Sequence, residues 1–460
     1  MKSEFAVVVL AAGLGTRMKS DRPKVLHGLA GRPLIGHVMA ALARLKPARV
    51  VLVVGPAMDD VVAAARAAAP DIALTSVIQH DRKGTGHAVL QAREALADFS
   101  GDVLVAFGDT PLVRPETLER LLTALRPGNG PARAVAVIGI RPADPGPYGR
   151  LVTNAAGALE RIVEAKDATS EEAAIGLCNA GVMALDGDRL FGLLDKLRPD
   201  NAKGEYYLTD VVAHAREAGL SCGVIEADAD ELVGINSRAE LAAAEAMFQA
   251  RARSAAMADG ATLIDPATVW FSHDTRLGRD VTVGPMVVFG PGVVVQDKVE
   301  IRAFSHIEGA VIREGATVGP FARLRPGADI GLDAHIGNFV EIKAATIEAG
   351  AKVNHLTYVG DARVGAKANV GAGTITCNYD GFSKHFTDIG AGAFIGSNTA
   401  LVAPVKVGDG AIVAAGSVVT VDVAPEALAL GRGQQVEKPG WAKAFRTAKA
   451  EKAAKSKRGG

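Results

Sequence analysis

The residues able to do chemistry fall into two groups. The first is a short glycine loop, Gly13-Leu14-Gly15-Thr16-Arg17, followed by a second cation in Pro23-Lys24. Glycines after a strand expose backbone N–H groups, and these suit a phosphate. The third glycine of the dinucleotide fingerprint is missing, and no Gly-Lys-Ser/Thr makes a P-loop. Gly13, Gly15, Arg17 and Lys24 together suit a triphosphate, with cations where charge rises on a transferred group. The second group lies far along the chain. His355 is accompanied by Arg325 and Lys343, which are 18 residues apart, by Asn369 and by the pair Asn378-Tyr379. Two stacked cations suit a sugar phosphate. A histidine that titrates near neutrality is a natural general base.

Two kinds of element must position these groups. Up to about residue 230, the strand-like runs Ala6–Leu10, Arg49–Val54, Val103–Phe107 and Ala134–Ile140 alternate with helical spacing over Leu34–Leu45, Asp59–Ala69, Thr85–Leu96 and Pro115–Leu125. This alternation predicts a mostly parallel sheet covered by helices, with ligands beyond the carboxyl ends of the strands. The glycine loop follows the first of these runs, and Phe107-Gly108-Asp109 follows the third. Residues 237–258 contain no Gly or Pro and open with Ser237 and Glu240 at capping-box spacing, which predicts one long linking helix. After residue 262 the aliphatic period is six. Val281, Val287, Val293 and Val299 show it, then Val318, Leu324, Ile330, Ile336 and Ile342, then Ile389, Ile395, Leu401, Val407, Val413 and Val419. That period predicts a parallel β-helix whose coils of three hexapeptides bring Arg325 and Lys343 onto successive turns. Residues Thr374–Asp388 interrupt the ladder, and an insertion in a solenoid usually sits on its binding face. The expected divisions are 1–236, a helical linker 237–258, a hexapeptide domain 259–440 and a tail 441–460. The tail carries Lys443, Arg446, Lys449, Lys452, Lys455, Lys457 and Arg458 against Glu451, and reads as a solvated, disordered segment.

Composition bounds the rest. A chain of 460 residues suggests two or three domains. Lys+Arg and Asp+Glu are both 51, so net charge offers no argument for nucleic-acid binding. With 48% hydrophobic and 22% charged residues, a largely disordered chain is excluded. No run reaches the roughly 18 apolar residues of a membrane helix, so no membrane insertion is expected. The apolar stretch Phe5–Ala12 runs into the glycine loop instead of a cleavage site, and reads as a buried first strand. Cys178, Cys222 and Cys377 make neither a disulfide framework nor a metal motif, and fit a reducing cytoplasm.

The spacing Leu-x-x-Gly-x-Gly-Thr-x-Met-x-x-x-x-Pro-Lys-x-Leu over residues 10–26 resembles the signature of sugar-1-phosphate nucleotidylyltransferases. The hexapeptides resemble those of left-handed β-helix acyltransferases. In this order, over about residues 4–440, the two resemble the bifunctional N-acetylglucosamine-1-phosphate uridylyltransferase/glucosamine-1-phosphate acetyltransferase family. The resemblance implies an α/β chain: a Rossmann-like nucleotidyltransferase domain, a linker helix and a C-terminal left-handed parallel β-helix. The handedness comes from the resemblance alone and runs against the usual right-handed rule.

The resemblance also implies site residues. The uridine nucleotide falls on Leu10, Ala11, Ala12, Gly13, Lys24, Gln79, Gly84 and Thr85, with Phe107 and Gly108 beside Asp109. Asp109 and Asn236 are the implied Mg2+ ligands, and Gly149, Glu164 and Asn179 the sugar-phosphate contacts. Phe107 stands where the family more often has Tyr, so a hydroxyl is lost. The implied reaction is attack of a sugar 1-phosphate on the α-phosphorus of UTP, with Arg17, Lys24 and Mg2+ neutralising charge. In the second half, acetyl-CoA acetylates glucosamine 1-phosphate with His355 as base. There the sugar phosphate falls on Arg325, Lys343, Tyr358 and Asn369, and acetyl-CoA on Ala372, Asn378, Tyr379, Ser397, Ala415 and Arg432. Asn378 is the expected donor to the tetrahedral oxyanion. An acyl-enzyme on Cys377 is the alternative to direct transfer. The implied product is UDP-N-acetylglucosamine, a precursor of peptidoglycan and lipopolysaccharide, and the implied assembly is a homotrimer with acetyl-transfer sites between subunits. The competing readings are a nucleotidylyltransferase whose β-helix is only regulatory or oligomerising, and a scaffold with a vestigial nucleotide site.

Overall fold

A computed structural model describes residues 4–127, 132–155 and 157–458, with the side chains of residues 455–458 outside what is described. The chain divides into two units, residues 1–255 with 271–274 and residues 256–270 with 275–460.

The first unit is built on a sheet in which an inner strand, Phe5–Leu10, is wholly apolar. It pairs in parallel with Arg49–Val54 on one side and Asp102–Phe107 on the other. Leu74–Ile78 extends the first side. On the second, Cys178–Leu185 runs antiparallel between Asp102–Phe107 and Val135–Ile140, and Cys222–Glu226 closes the edge. Both faces of the inner strands are covered, which is why Phe5–Leu10, Arg49–Val54 and Val135–Ile140 read as nearly continuous apolar runs without alternation. Val7 and Val9 join the core under the helices Leu34–Leu45 and Pro115–Leu125, while Ala6 and Val8 face Thr85–Leu90 and Val211–Glu217. The helix expected over 85–96 ends at Leu90 and resumes as a 3-10 turn at Glu94–Leu96. The register that matters for chemistry sets Leu10 opposite Phe107. The glycine loop and Asp109 therefore leave the sheet side by side.

The long helix spans Arg238–Ala258. Its capping box forms: the Glu240 carboxylate accepts from the N–H groups of Asn236 and Ser237, and Ser237 Oγ accepts from Glu240 N–H at 3.3 Å. Up to Ala255 this helix belongs to the first unit. Its polar side chains bond backbone there: Glu245 accepts from Ala30 N–H, Gln249 exchanges two 2.8 Å bonds with Phe271, and Arg251 donates to the Leu112 carbonyl.

In the second unit every aliphatic of the six-residue ladder is buried. Strands of mostly two or three residues stack in parallel, one coil apart, as Thr282 opposite Glu300 and Leu324 opposite Ile342. The insertion lengthens one coil, so that Ala362 faces Thr387. Its tip is ordered by Asp380, whose carboxylate accepts from Phe382 N–H, Ser383 N–H and His385 Nε2–H, and these bonds hold the carboxyl well below its ordinary pKa. At one corner Phe304, Phe321 and Phe339 stack with centroids 4.9 and 5.1 Å apart, and all three are exposed. The segment expected to be disordered is instead a helix, Trp441–Arg458. Alanine and lysine are strong helix formers, and Trp441 stacks on Phe445; a reading based on charge alone misses both. Among the described residues no helix is long and apolar enough to cross a membrane.

Candidate functional site

A cavity of about 260 Å³ opens at the carboxyl ends of Phe5–Leu10 and Asp102–Phe107. Leu10, Ala11, Ala12, Gly13, Lys24, Gln79, Gly84, Thr85, Phe107 and Asp109 line it, joined by Arg82 and Glu205. Lys24 Nζ donates to Asp109 Oδ2 at 2.5 Å and to Asn236 Oδ1 at 2.8 Å. Only 11% of the Lys24 side chain and 19% of the Asp109 side chain are exposed. One ammonium thus gathers two oxygens brought from a strand end and from the start of the long helix. Gly108 is packed beneath, against Ile35, Ala11 and Val25. Gln79 is buried; its amide donates to the Gly84 carbonyl at 3.2 Å and meets His87 Nδ1 at 3.1 Å. Thr85 Oγ1 accepts from Leu208 N–H at 3.1 Å, which ties the cavity wall to the segment carrying Glu205. Arg82 Nε donates to the Ala12 carbonyl at 2.7 Å and so pins the glycine loop.

Gly149, Glu164 and Asn179 sit on neighbouring segments. Asn179 N–H donates to the Gly149 carbonyl at 2.8 Å, and Glu164 accepts from Thr209 Oγ1 at 3.2 Å. Burial pushes the Glu164 carboxyl above its ordinary pKa, opposed by the Thr209 bond. Arg17 is exposed on the 3-10 turn Thr16–Met18 and does not line the cavity. The left-handed Gly15 that starts this turn carries the chain round, and Met18, not Arg17, is the buried member.

On the β-helix, the pairing of Leu324 with Ile342 carries Arg325 and Lys343 onto successive coils. Arg325 Nη1 donates to Glu341 at 2.8 Å, and Lys343 Nζ lies 3.7 Å from Asp361. Lys384, from the insertion, joins them, and the neighbouring Lys343 ammonium lowers its pKa. His355 ends the strand Lys352–His355 and donates from Nδ1 to Asn338 Oδ1 at 2.6 Å. Asn378 is buried, and its amide donates to Asp361 Oδ2 at 2.5 Å and to Tyr358 Oη at 3.4 Å. These two N–H groups are the donors expected to serve the oxyanion, and the carbonyl oxygen is a further acceptor for a ligand. Asn369 lies opposite Lys352, on the strand next to the one that His355 ends. The backbone carbonyls of Ala372, Ser397 and Ala415 accept from Asn398 N–H, Gly416 N–H and Arg432 Nη1, so these residues fall on successive coils. Tyr379 is exposed, its hydroxyl donating to the Gly381 carbonyl.

The model of the MobA-like NTP transferase domain matches residues 7–175, and that of the bacterial transferase hexapeptide (six repeats) matches residues 386–420. The bifunctional protein GlmU of Paramagnetospirillum magneticum is 62% identical over 453 residues, covering 98% of this chain and 99% of that one. The chain belongs to the bifunctional GlmU family. The GlmU proteins of Rhodospirillum rubrum (62% identical, covering 96% of this chain and 98% of that one) and Azorhizobium caulinodans (58%, covering 96% and 97%) agree. With the hexapeptide match, the stacked parallel strands are those of a left-handed β-helix. In this GlmU-family chain, sequence reasoning missed Arg82, Glu205, Thr209, Asn338, Glu341 and Asp361. Glu205 lines the cavity, and each of the others contributes through a partner on another segment. Arg82 alone left a trace, lying between Gln79 and Gly84.

Proposed function

We propose that the two transferase activities of the GlmU family occupy separate sites on this chain. The chain is a bifunctional enzyme of UDP-N-acetylglucosamine synthesis. The second unit acetylates glucosamine 1-phosphate from acetyl-CoA. The first transfers UMP from UTP to N-acetylglucosamine 1-phosphate, with pyrophosphate leaving. The observation that carries this is Lys24, in the cavity wall, held between Asp109 and Asn236.

In the first site the backbone of Ala11–Gly13 cradles phosphate, Gln79 and Thr85 meet the base, and Gly149, Glu164 and Asn179 take the sugar phosphate. No side-chain nucleophile is required; the protein positions the reactants and neutralises charge. Among the described residues no group of three His, Cys, Asp or Glu could hold a metal alone. One carboxylate plus phosphate oxygens is the usual Mg2+ pattern. Asp109 and Asn236 fit it, since their oxygens already converge on one cation. Mg2+ there would neutralise the triphosphate.

In the second site His355 takes the amine proton, Arg325 and Lys343 hold the phosphate, and Tyr358 and Asn369 complete the sugar contacts. The Asn378 carbonyl oxygen receives the amine N–H. Ala372, Tyr379, Ser397, Ala415 and Arg432 hold the CoA arm. A homotrimer completes this site; the exposed column Phe304–Phe321–Phe339 and Phe382, 96% exposed at the insertion tip, supply apolar surface for such an assembly. We place the enzyme in the cytoplasm, where three free cysteines are at home.

The test separates the sites. Purified protein receives glucosamine 1-phosphate, acetyl-CoA, UTP and Mg2+, and free thiol and pyrophosphate are followed independently. Asp109→Ala is expected to abolish pyrophosphate release and spare thiol release; His355→Ala is expected to do the reverse when N-acetylglucosamine 1-phosphate is supplied. Loss of both activities in either variant, or of neither, would refute the assignment.

A further inference from the structure

We propose that Asn338 is a positioning residue for acetyl transfer, holding the His355 imidazole with its proton on Nδ1 and its lone pair on Nε2. The inference rests on the reading of His355 as the base. Strand His335–Asn338 pairs in parallel with Lys352–His355, and the register sets Asn338 opposite His355. The 2.6 Å separation of His355 Nδ1 and Asn338 Oδ1 follows from that register. Gly337 makes the close approach possible, because a Cβ there would lie 1.9 Å from the Asn354 carbonyl oxygen. Any side chain at 337 would push the two coils apart, and the two partners with them.

The backbone on either side is tied down as well. Leu356 N–H donates to the Asn338 carbonyl at 3.1 Å, and the His355 carbonyl accepts from Thr357 Oγ1 at 2.7 Å and Gly373 N–H at 3.2 Å. The ring is thus the one freely rotating part of His355, and Asn338 is what stops it.

The chemistry explains why an amide serves here. Neutral imidazole has one N–H and one lone pair, so a partner that accepts at Nδ1 leaves Nε2 basic. As the amine nitrogen attacks the thioester carbon, its N–H proton passes to Nε2. The C–N bond forms, the C–S bond breaks, and CoA leaves as a thiolate that takes up that proton. Throughout, Nδ1–H goes on donating to the same amide oxygen. A carboxylate in its place would orient the ring equally but would stabilise the imidazolium and raise the pH needed to free the base.

The test uses the full-length chain with glucosamine 1-phosphate and acetyl-CoA, thiol release being followed across pH. Pyrophosphate release from the first unit reports that each variant is folded. Asn338→Ala is expected to lower kcat about tenfold or more while the sugar-phosphate KM stays within about twofold. Asn338→Asp is expected to restore most of kcat and to move the acid limb of the pH profile to higher pH. Asn338→Ala with parental kcat, beside an inactive His355→Ala, overturns the inference and leaves the base assignment standing. A His355→Ala chain that acetylates at the parental rate overturns the base assignment itself. Should Asn338→Ala not fold, Asn338→Asp decides: an unmoved acid limb overturns the positioning role.

Discussion

Replacing Gly15 by alanine tests how the glycine loop and Lys24 are coupled. Gly15 has φ 63° and ψ 36°, in the left-handed region. An alanine there costs roughly 1–2 kcal/mol from backbone sterics alone. Its Cβ would also stand 2.5 Å from Lys24 Cβ and 3.4 Å from Lys24 Cα. Contacts between carbons settle near 4 Å, so the segment carrying Lys24 must retreat by about 1 Å, at a further cost of roughly 1–3 kcal/mol. A total of about 3 kcal/mol lowers the melting transition of the first unit by roughly 6–12 °C. The same retreat draws Nζ away from Asp109 and Asn236, and a misplacement of about 1 Å in a positioning site costs on the order of 100-fold in rate. Gly13 is the control. An added Cβ meets nothing within 4 Å and no positive φ is required, so the methyl group stands in the cavity. Gly13→Ala is therefore expected to melt like the parent and to raise KM for UTP. The assays are calorimetry on the full chain and pyrophosphate release, with thiol release as the internal standard. If Gly15→Ala melts within about 2 °C of the parent and keeps pyrophosphate release within about threefold, the coupling is refuted.

Two further outcomes are expected. Arg82→Ala removes the bond that pins the Ala12 carbonyl and should raise KM for UTP about tenfold, the value of one charge-assisted hydrogen bond, with kcat little changed; Arg82→Lys should not rescue it, since lysine lacks the Nε donor, and a parental KM in Arg82→Ala would count against the pinning role. Burial holds the His37 imidazole at about 4 against an ordinary 6.5. Its folded pKa lies below its unfolded one, so its contribution is intact above pH 6.5 and is lost as pH falls to 4, by about 3 kcal/mol. His37→Gln keeps a donor for the Leu29 carbonyl and should flatten the urea-derived stability over that window by this amount, while an unchanged pH slope would show that His37 is not the group responsible.

Much of the fold and part of the site could be read in the chain before any coordinates. The aliphatics at intervals of six in the runs Val281–Val299, Val318–Ile342 and Ile389–Val419 are buried because a narrow solenoid core accepts one aliphatic per face, and that demand is written residue by residue. The glycine loop and Lys24 were legible for a similar reason, since glycines after an apolar strand point to a backbone open to phosphate. Arg17 and Asn378 show what residue type leaves open, since it says what a side chain can do and not where it rests. Arg17 is turned to solvent, and the Asn378 amide donates to Asp361 and Tyr358.

What the sequence by itself determined was therefore local and periodic: the strand–helix alternation, the six-residue ladder, the capping box at Ser237 and the residue types able to meet phosphate, amine and thioester. What only the tertiary structure decided was partnership. Lys24 meets Asn236 across 212 residues, and Arg82 meets Ala12 across 70. Asn338 meets His355 because one coil of the helix closes over the next at Gly337. Hydrogen bonds form between atoms a few ångströms apart, and which distant segments come that close is set by sheet register and coil length.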